Sequence, residues 1–237
     1  MTRAPRPAMV RVWIIPVDLP PEAAARCLEV LDDRERARAA AFLSERDRRQ
    51  FAVAHGALRI LAARELRETP SALRWERGPY GKPALAAPWS GLSTGLSHSA
   101  DLVAVAIAAD RAVGVDIQCL APGPNVVALS ARFYPPAEAA YVADGRDEAA
   151  RADRFTRLWC RKEAVVKAAG GRLWPNLTIA VLGADVVGCA EPPGVHRVAD
   201  VPAPAGFRAA VALSGAVPFV VQALAWPGEV EASAVAG

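Results

Sequence analysis

The chain predicts a mixed α/β (α+β) fold built as two halves, each a run of helices followed by a few short strands. Three observations carry that reading. Hydrophobic residues make up 53% of the 237 positions, enough for a substantial core in one large domain or two compact halves. Apolar residues at helical spacing (Phe51, Ala54, Leu58, Leu61, Leu66) alternate with short apolar runs such as 102–108. The order of elements repeats loosely on either side of residue 111, although no direct sequence repeat does.

Val10 to Val17 reads as a first strand, ended by Pro16 and then Pro20-Pro21. Helical patterns follow over 22–31, 33–42 and 45–67, and His55 in the last is expected to be an ordinary buried or half-buried helix residue. In the stretch from Trp75 to Leu85, two glycines and two prolines force turns and a stiff exit, so Lys82 is expected to be displayed rather than packed. Leu96-Ser97-His98-Ser99 precedes an expected strand at 102–108, and a turn at 109–111 leads to a second at 112–118. Ala121-Pro122-Gly123-Pro124 is the best internal boundary, though too short to be a free linker, and the two halves are taken as 1–111 and 112–228. Beyond it lie helices at 126–132, 136–142 (with Pro136 in its first turn) and 153–169, then a strand at 176–182. The Pro- and Gly-rich stretch 188–205 reads as turns with short edge strands. The segments 206–213 and 219–225 read as a final strand pair, and 229–237 as a flexible tail.

Two places concentrate chemistry. In the strand 112–118, alternation sends Val113, Val115 and Ile117 into the core and turns Gly114, Asp116 and Gln118 the other way. Asp116 and Gln118 then stand about 7 Å apart at the backbone, where two oxygen ligands can share an ion. Asp is disfavoured inside so apolar a strand, which argues against an ordinary exposed polar pair. In the helix ending at Gly170-Gly171, Glu163 and Lys167 lie one turn apart on one stripe, with Trp159 a turn earlier. Such a pair is most often a surface ion pair worth a few tenths of a kcal/mol. The lysine usage points further: among 28 basic residues there are three lysines, Lys82, Lys162 and Lys167, two of them in this helix. A chain that prefers arginine keeps lysine where a compact, flexible point charge is wanted.

No apolar run is long enough for a membrane span, and no signal-peptide h-region follows the basic start, so the expectation is a soluble, cytoplasmic protein. Cys27, Cys119, Cys160 and Cys189 lack any Cys-x-x-Cys spacing and fit reduced thiols. The three histidines are scattered, so a metal is expected on carboxylates and to be a hard cation. Arg34, Arg36, Arg38, Arg46, Arg48 and Arg49 crowd one region, either as a solvated face or as a surface for a polyanion. Aromatic residues are not interleaved there as nucleic-acid stacking requires, and a phosphate-rich small molecule fits at least as well.

Gly81-Lys82-Pro83, Leu96-Ser97-His98-Ser99, Gly114-Val115-Asp116-Ile117 and Trp159-Cys160-Arg161-Lys162-Glu163 with Lys167 together resemble the 4′-phosphopantetheinyl transferases. The likeness is to the larger type that activates surfactin synthetase and similar assembly lines, and it covers nearly the whole chain up to about Leu213. Each piece alone is weak; four in the family's order form a specific signal. The resemblance implies a pseudo-twofold pair of halves, each a small, mostly antiparallel sheet with packed helices, and an active site in the cleft between them. It implies transfer of phosphopantetheine from coenzyme A to a serine of an apo acyl or peptidyl carrier domain. The implied by-product is adenosine 3′,5′-bisphosphate, the implied metal Mg²⁺ (or Mn²⁺), and the implied state a monomer that binds neither nucleic acid nor membrane.

On this resemblance Asp116 and Glu163 hold the metal, and Glu163 is also the base, directly or through water. Lys167 offsets phosphate charge with help from Lys162. Lys82, His98 and Ser97 meet coenzyme A, as do Arg48 and Arg49 in a register that also admits Gln50, and Arg36 and Arg38 reach its 3′-phosphate. Many relatives carry a third acidic ligand where this chain has Gln118, whose amide oxygen ligates without charge, leaving water as an alternative. The implied docking surface for an acidic carrier is basic and apolar, around Arg132, Phe133 and Tyr134. The alternatives are a catalytically silent protein that binds coenzyme A or a carrier on the same fold, and an Arg-rich nucleic-acid binder with steep salt dependence.

Overall fold

Alternating burial along the strands builds four layers in the computed structural model, which describes residues 8–78, 81–120 and 125–226. The boundary expected at 121–124 and the tail expected at 229–237 fall outside those residues. The first half runs β1 (Ala8–Pro16), α1 (Pro21–Glu29), α2 (Asp33–Ala40), α3 (Glu45–Leu66), a small hairpin of β2 (Trp75–Arg77) and β3 (Pro83–Leu85), then β4 (Leu92–Ser99) and β5 (Leu102–Ala109). The second runs β6 (Val113–Cys119), α4 (Val126–Phe133), α5 (Pro136–Ala143), α6 (Glu148–Ala169), β7 (Val186–Ala190), β8 (Pro193–Val201) and β9 (Phe207–Ser214), before β10 (Phe219–Ala225) closes the chain's described part.

Two four-stranded sheets result, ordered β10-β1-β5-β4 and β6-β9-β8-β7, and every pairing is antiparallel except that of β1 with β10. Sheet meets sheet through a core of Val10, Val12, Ala104, Ala106, Val113, Val115, Val211 and Leu213. The alanines on β5 keep that layer thin. On its outer face the first sheet packs on α1 and α3 through Trp13, Ile15, Val53, Leu58 and Leu61. The second packs on α5 and α6 through Val142, Leu158, Val165 and Val198.

Local signals set the helix ends. Asp32 and Glu35 form a reciprocal capping box on α2, and Ser44 caps α3. Asp147 accepts from the Ala150 N–H at 2.7 Å, so α6 starts about a turn before the expected Asp153. Gly170, at φ 72°, ends it as expected.

Two expectations are corrected. The segment expected to be a strand at 176–182 is a short 3-10 turn (Trp174–Asn176) followed by irregular backbone. Side chains supply its partners: the Glu138 carboxylate accepts from the Val181 and Leu182 N–H groups, and Lys162 donates to the Ile179 carbonyl. Segment 219–225 does not pair with 206–213. Both edges of β9 are taken by β6 and β8, so the chain crosses back and lays β10 beside β1. Arg111 staples that crossover, donating to the carbonyls of Ser214, Gly215 and Val217. Leu96–Ser99 precedes a strand, β5, as expected, and is itself the end of another, β4.

The polar composition of β4 has a structural use. Pairing with β9 on one side leaves the odd-numbered N–H groups of β6 on a free edge. Ser93 accepts from Val113 N–H at 3.0 Å, Ser97 from Ile117 N–H at 3.4 Å and Ser99 from Cys119 N–H at 3.0 Å. Gly95 fills the remaining step, where an added Cβ would stand 3.2 Å from Val115 N. The hydroxyls thus replace a strand along that edge, each bond contributing about 1 kcal/mol. On the other face of β6, Gly114 lets α6 lie directly on the strand: a Cβ there would be 2.1 Å from Ala164 O and 2.3 Å from Ala168 N.

Gly114→Ala is therefore expected to lose about 2 kcal/mol or more to overpacking against backbone, read by urea unfolding. Gly188→Ala, with nothing within 4 Å of its new Cβ, is expected to stay within about 0.5 kcal/mol of the parent.

Candidate active site

The close approach of α6 to β6 places Glu163 and Lys167 beside Asp116. A cleft of about 360 Å³ opens there, lined by Asp116, Gln118, Glu163, Lys167, Ser97 and His98, with Arg38, His55 and Arg77 on the first half's side. A smaller, largely apolar pocket of about 230 Å³ adjoins it and shares Gly81, Pro83, Leu96 and Lys167.

Asp116 is 1% exposed and anchored by three side chains. Its Oδ1 accepts from Lys167 Nζ at 2.6 Å and from Ser97 Oγ at 2.7 Å, and its Oδ2 receives a longer contact from Gln118 Nε2 at 3.3 Å. Lys167 also donates to Ser97 Oγ at 3.0 Å. The Cys160 thiol donates to Arg208 O, and burial, reinforced by Asp116, holds its pKa well above the usual thiol range. Glu163 is half-buried. Burial raises its pKa above the ordinary carboxylate value, with Lys167 opposing and Asp116 reinforcing, so the two carboxylates share one electrostatic environment. Burial, with Lys167 second, lowers the pKa of His98, which lines the cleft.

The remaining sequence-predicted residues are distributed more widely. Of the arginines expected to meet phosphate, Arg38 lines the cleft, its guanidinium 5.6 Å from the Phe51 ring centre. Arg36 bonds Asp33, Arg48 bonds Glu45 and Arg49 bonds Asp18, all exposed ion pairs outside the cleft lining. Gln50, the alternative in that register, donates to Ala100 O at 2.8 Å. Lys82 is not displayed as the turn composition suggests: its ammonium turns inward, donating to Val113 O at 2.7 Å and Lys167 O at 2.9 Å. It ties the last turn of α6 to the start of β6. Burial pushes its pKa down to about 8.

Lys162 departs furthest from its expected place. One helical position from Glu163 is about 100° around the axis, and that rotation carries it away from the cleft into the core. It is 0% exposed, paired with the equally buried Glu138 on α5 at 2.5 Å, and it faces the Tyr134 ring at 4.5 Å. Tyr134, expected on a docking surface, is likewise buried, stacked on Phe155 at 5.2 Å. Phe133 is half-buried between Arg132 and Trp174, and Trp174 is exposed.

Sequence reasoning did not bring Arg77 to the cleft, and His55, half-buried in α3 as expected, also lines it. Arg77 carries no local signal, because the β2–β3 hairpin that aims it is a tertiary matter. His55 had one: it sits four residues after Phe51, and the rings stack at 4.1 Å while its Nδ1 meets Glu35 at 3.1 Å.

No group of three or more His, Cys, Asp or Glu side chains converges among the described residues. The oxygen donors in the cleft are two electrostatically coupled carboxylates, Asp116 and Glu163, with the Gln118 side chain beside them. That set fits a hard divalent cation whose other positions are filled by water and phosphate oxygens.

Two carboxylates ringed by Lys167, Arg38, Arg77 and two histidines, in a cleft on paired sheets, form a layout suited to transferring a phosphate-bearing group. The comparisons make that class specific. Residues 112–189, from β6 through α6 to β7, match the 4′-phosphopantetheinyl transferase superfamily. The chain is 33% identical over 163 residues to the 4′-phosphopantetheinyl transferase HetI of Nostoc, spanning 68% of each chain. It is 32% identical over 165 residues to a putative 4′-phosphopantetheinyl transferase of Synechocystis, covering 68% of this chain and 64% of that one. With the AcpT transferase of Salmonella typhi it shares 35% over 121 residues, 51% of this chain and 60% of the other. The chain belongs to the 4′-phosphopantetheinyl transferase superfamily, a family of transferases.

Two stability tests follow from the buried lysines. Lys82 holds its proton to about pH 10.5 when unfolded but only to about pH 8 when folded. Between those values the unfolded state binds the extra proton, so the parent is expected to gain stability as pH rises. Lys82→Met is expected to flatten that rise in urea titrations from pH 7.5 to 10.5. Lys162→Met, which leaves Glu138 buried and unpaired, is expected to cost about 3–5 kcal/mol, and adding Glu138→Gln is expected to restore much of it.

Proposed function

We propose that the protein transfers 4′-phosphopantetheine from coenzyme A to the serine hydroxyl of an apo acyl or peptidyl carrier domain, releasing adenosine 3′,5′-bisphosphate. The observation that carries this reading is the convergence of Asp116 from β6 and Glu163 from α6 on one cleft, with Lys167 bonded to Asp116. Membership of the superfamily supports it independently.

In the proposed reaction the serine oxygen forms a bond to the phosphorus that carries pantetheine. The bond from that phosphorus to the bridging pyrophosphate oxygen breaks, and the electron pair leaves on the adenosine bisphosphate. The serine proton passes to Glu163, directly or through water. A carboxylate whose pKa is raised by burial is a better acceptor than an ordinary one. Asp116, Glu163 and the Gln118 oxygen, or a water in place of the last, would hold Mg²⁺ or Mn²⁺, which supplies charge neutralisation on the phosphate oxygens. Lys167 adds positive charge beside the transferring group, and Arg38, Arg77 and His98 offer N–H donors to the remaining phosphates. The apolar annex beside Leu96 and Pro83 suits the organic part of coenzyme A.

We place the protein with the larger, surfactin-synthetase-activating type acting as a monomer, since both walls of the cleft come from one chain. No helix among the described residues is long and apolar enough to cross a membrane. The proposed setting is the cytoplasm, with no nucleic-acid partner.

The test is mass spectrometry of an apo carrier domain incubated with the protein, coenzyme A and Mg²⁺. The parent is expected to add phosphopantetheine to the carrier. Glu163→Gln is expected to slow the transfer on the order of 10²- to 10⁴-fold, and Asp116→Asn comparably. A Glu163→Gln variant at full rate would remove that residue from the chemistry, and coenzyme A binding without any transfer would favour a silent binding protein.

A further inference from the structure

Ser93, Ser97 and Ser99 make the same kind of bond to the free edge of β6, yet Ser97 alone of the three also touches Asp116. A hydroxyl has one proton to give and two lone pairs to receive with. Ser97 uses all three: it donates to Asp116 Oδ1 at 2.7 Å and accepts from Lys167 Nζ at 3.0 Å and Ile117 N–H at 3.4 Å. At 6% exposure, with no capacity left, it is poorly placed to bind a substrate phosphate directly. Its bonds instead fix the carboxylate's rotation. Oδ1 takes both short donors, while Oδ2 keeps the weaker 3.3 Å contact from the Gln118 amide and is the oxygen with coordination capacity to spare.

We propose that Ser97 is a positioning residue: tied to β6 by the same seam that joins the sheets, it holds Asp116 Oδ1 so that Oδ2 is presented to a divalent cation shared with Glu163. This rests on the transferase reading above. A partner that orients a ligating carboxylate typically contributes 10- to 100-fold in metal affinity.

Mn²⁺ titrated into the protein with coenzyme A present, the free ion counted by electron paramagnetic resonance against a protein-free blank, separates positioning from mere support. Ser97→Ala is expected to weaken Mn²⁺ binding about 10-fold or more. Ser93→Ala and Ser99→Ala, which remove sister bonds of the same seam, are expected to lose similar stability in urea yet bind Mn²⁺ as the parent does. Ser97→Cys keeps the side chain's shape with a weaker donor, serves if Ser97→Ala does not fold, and is expected to weaken binding as well. Parent-like affinity in either Ser97 variant would overturn the proposal, as would an equal loss in the Ser93 or Ser99 variant. A parent that transfers phosphopantetheine and binds Mn²⁺ while the Ser97 variants bind equally well defeats this inference alone. A parent that does neither defeats the transferase reading and this inference together.

Discussion

The hydroxyl seam between β4 and β6 is the constraint on which the rest of the structure depends. A strand edge with unpaired N–H groups must be covered, paired or solvated. Here it lies against β4 of the other sheet, with which it forms no regular ladder. Serine side chains at every second position, with a glycine at the step between, supply acceptors without forcing the two sheets into one. That choice leaves the sheets packed face to face and brings β6, with Asp116 in its middle, beside Ser97 and His98.

Once β6 is fixed, α6 completes the site because nothing stands between helix and strand. A side chain at Gly114 would collide with the α6 backbone at residues 164, 167 and 168; its absence lets the helix lie close, with Glu163 and Lys167 lining the cleft. Lys82 reinforces the contact from outside by bonding both elements at once. The buried aspartate is tolerated because Lys167 compensates its charge and Ser97 donates a hydrogen bond to it.

Adjacent residues of α6 answer to separate demands. Glu163 faces the cleft, where burial and the neighbouring aspartate raise its affinity for a proton. Lys162, about 100° further round the helix, faces the core in a closed pair with Glu138. That carboxylate in turn satisfies backbone donors at 181 and 182, so one buried ion pair organises a segment with no strand or helix of its own. Composition alone grouped Lys162 with Lys167, because both are rare lysines on one helix. The rotation between them separates a structural cation from a cleft-lining one.

Much of this was legible in the residues. Periodicity located most helices and strands, since amphipathic spacing is a local consequence of which face is buried, and an aspartate among valines marked β6 as unusual. The pairing of β10 with β1, the irregular course of 176–182 and the inward turn of Lys82 were not legible. Each is settled by a partner distant in the chain: an occupied edge on β9, a carboxylate on α5, a pair of carbonyls on α6 and β6. Sequence by itself determined most of the helices and strands, the mixed α/β class and the two acidic residues that the cleft brings together. Tertiary structure decided which serine touches the aspartate, which lysine faces the cleft and which arginines line it, because hydrogen-bond reach and desolvation depend on distances that no local pattern encodes.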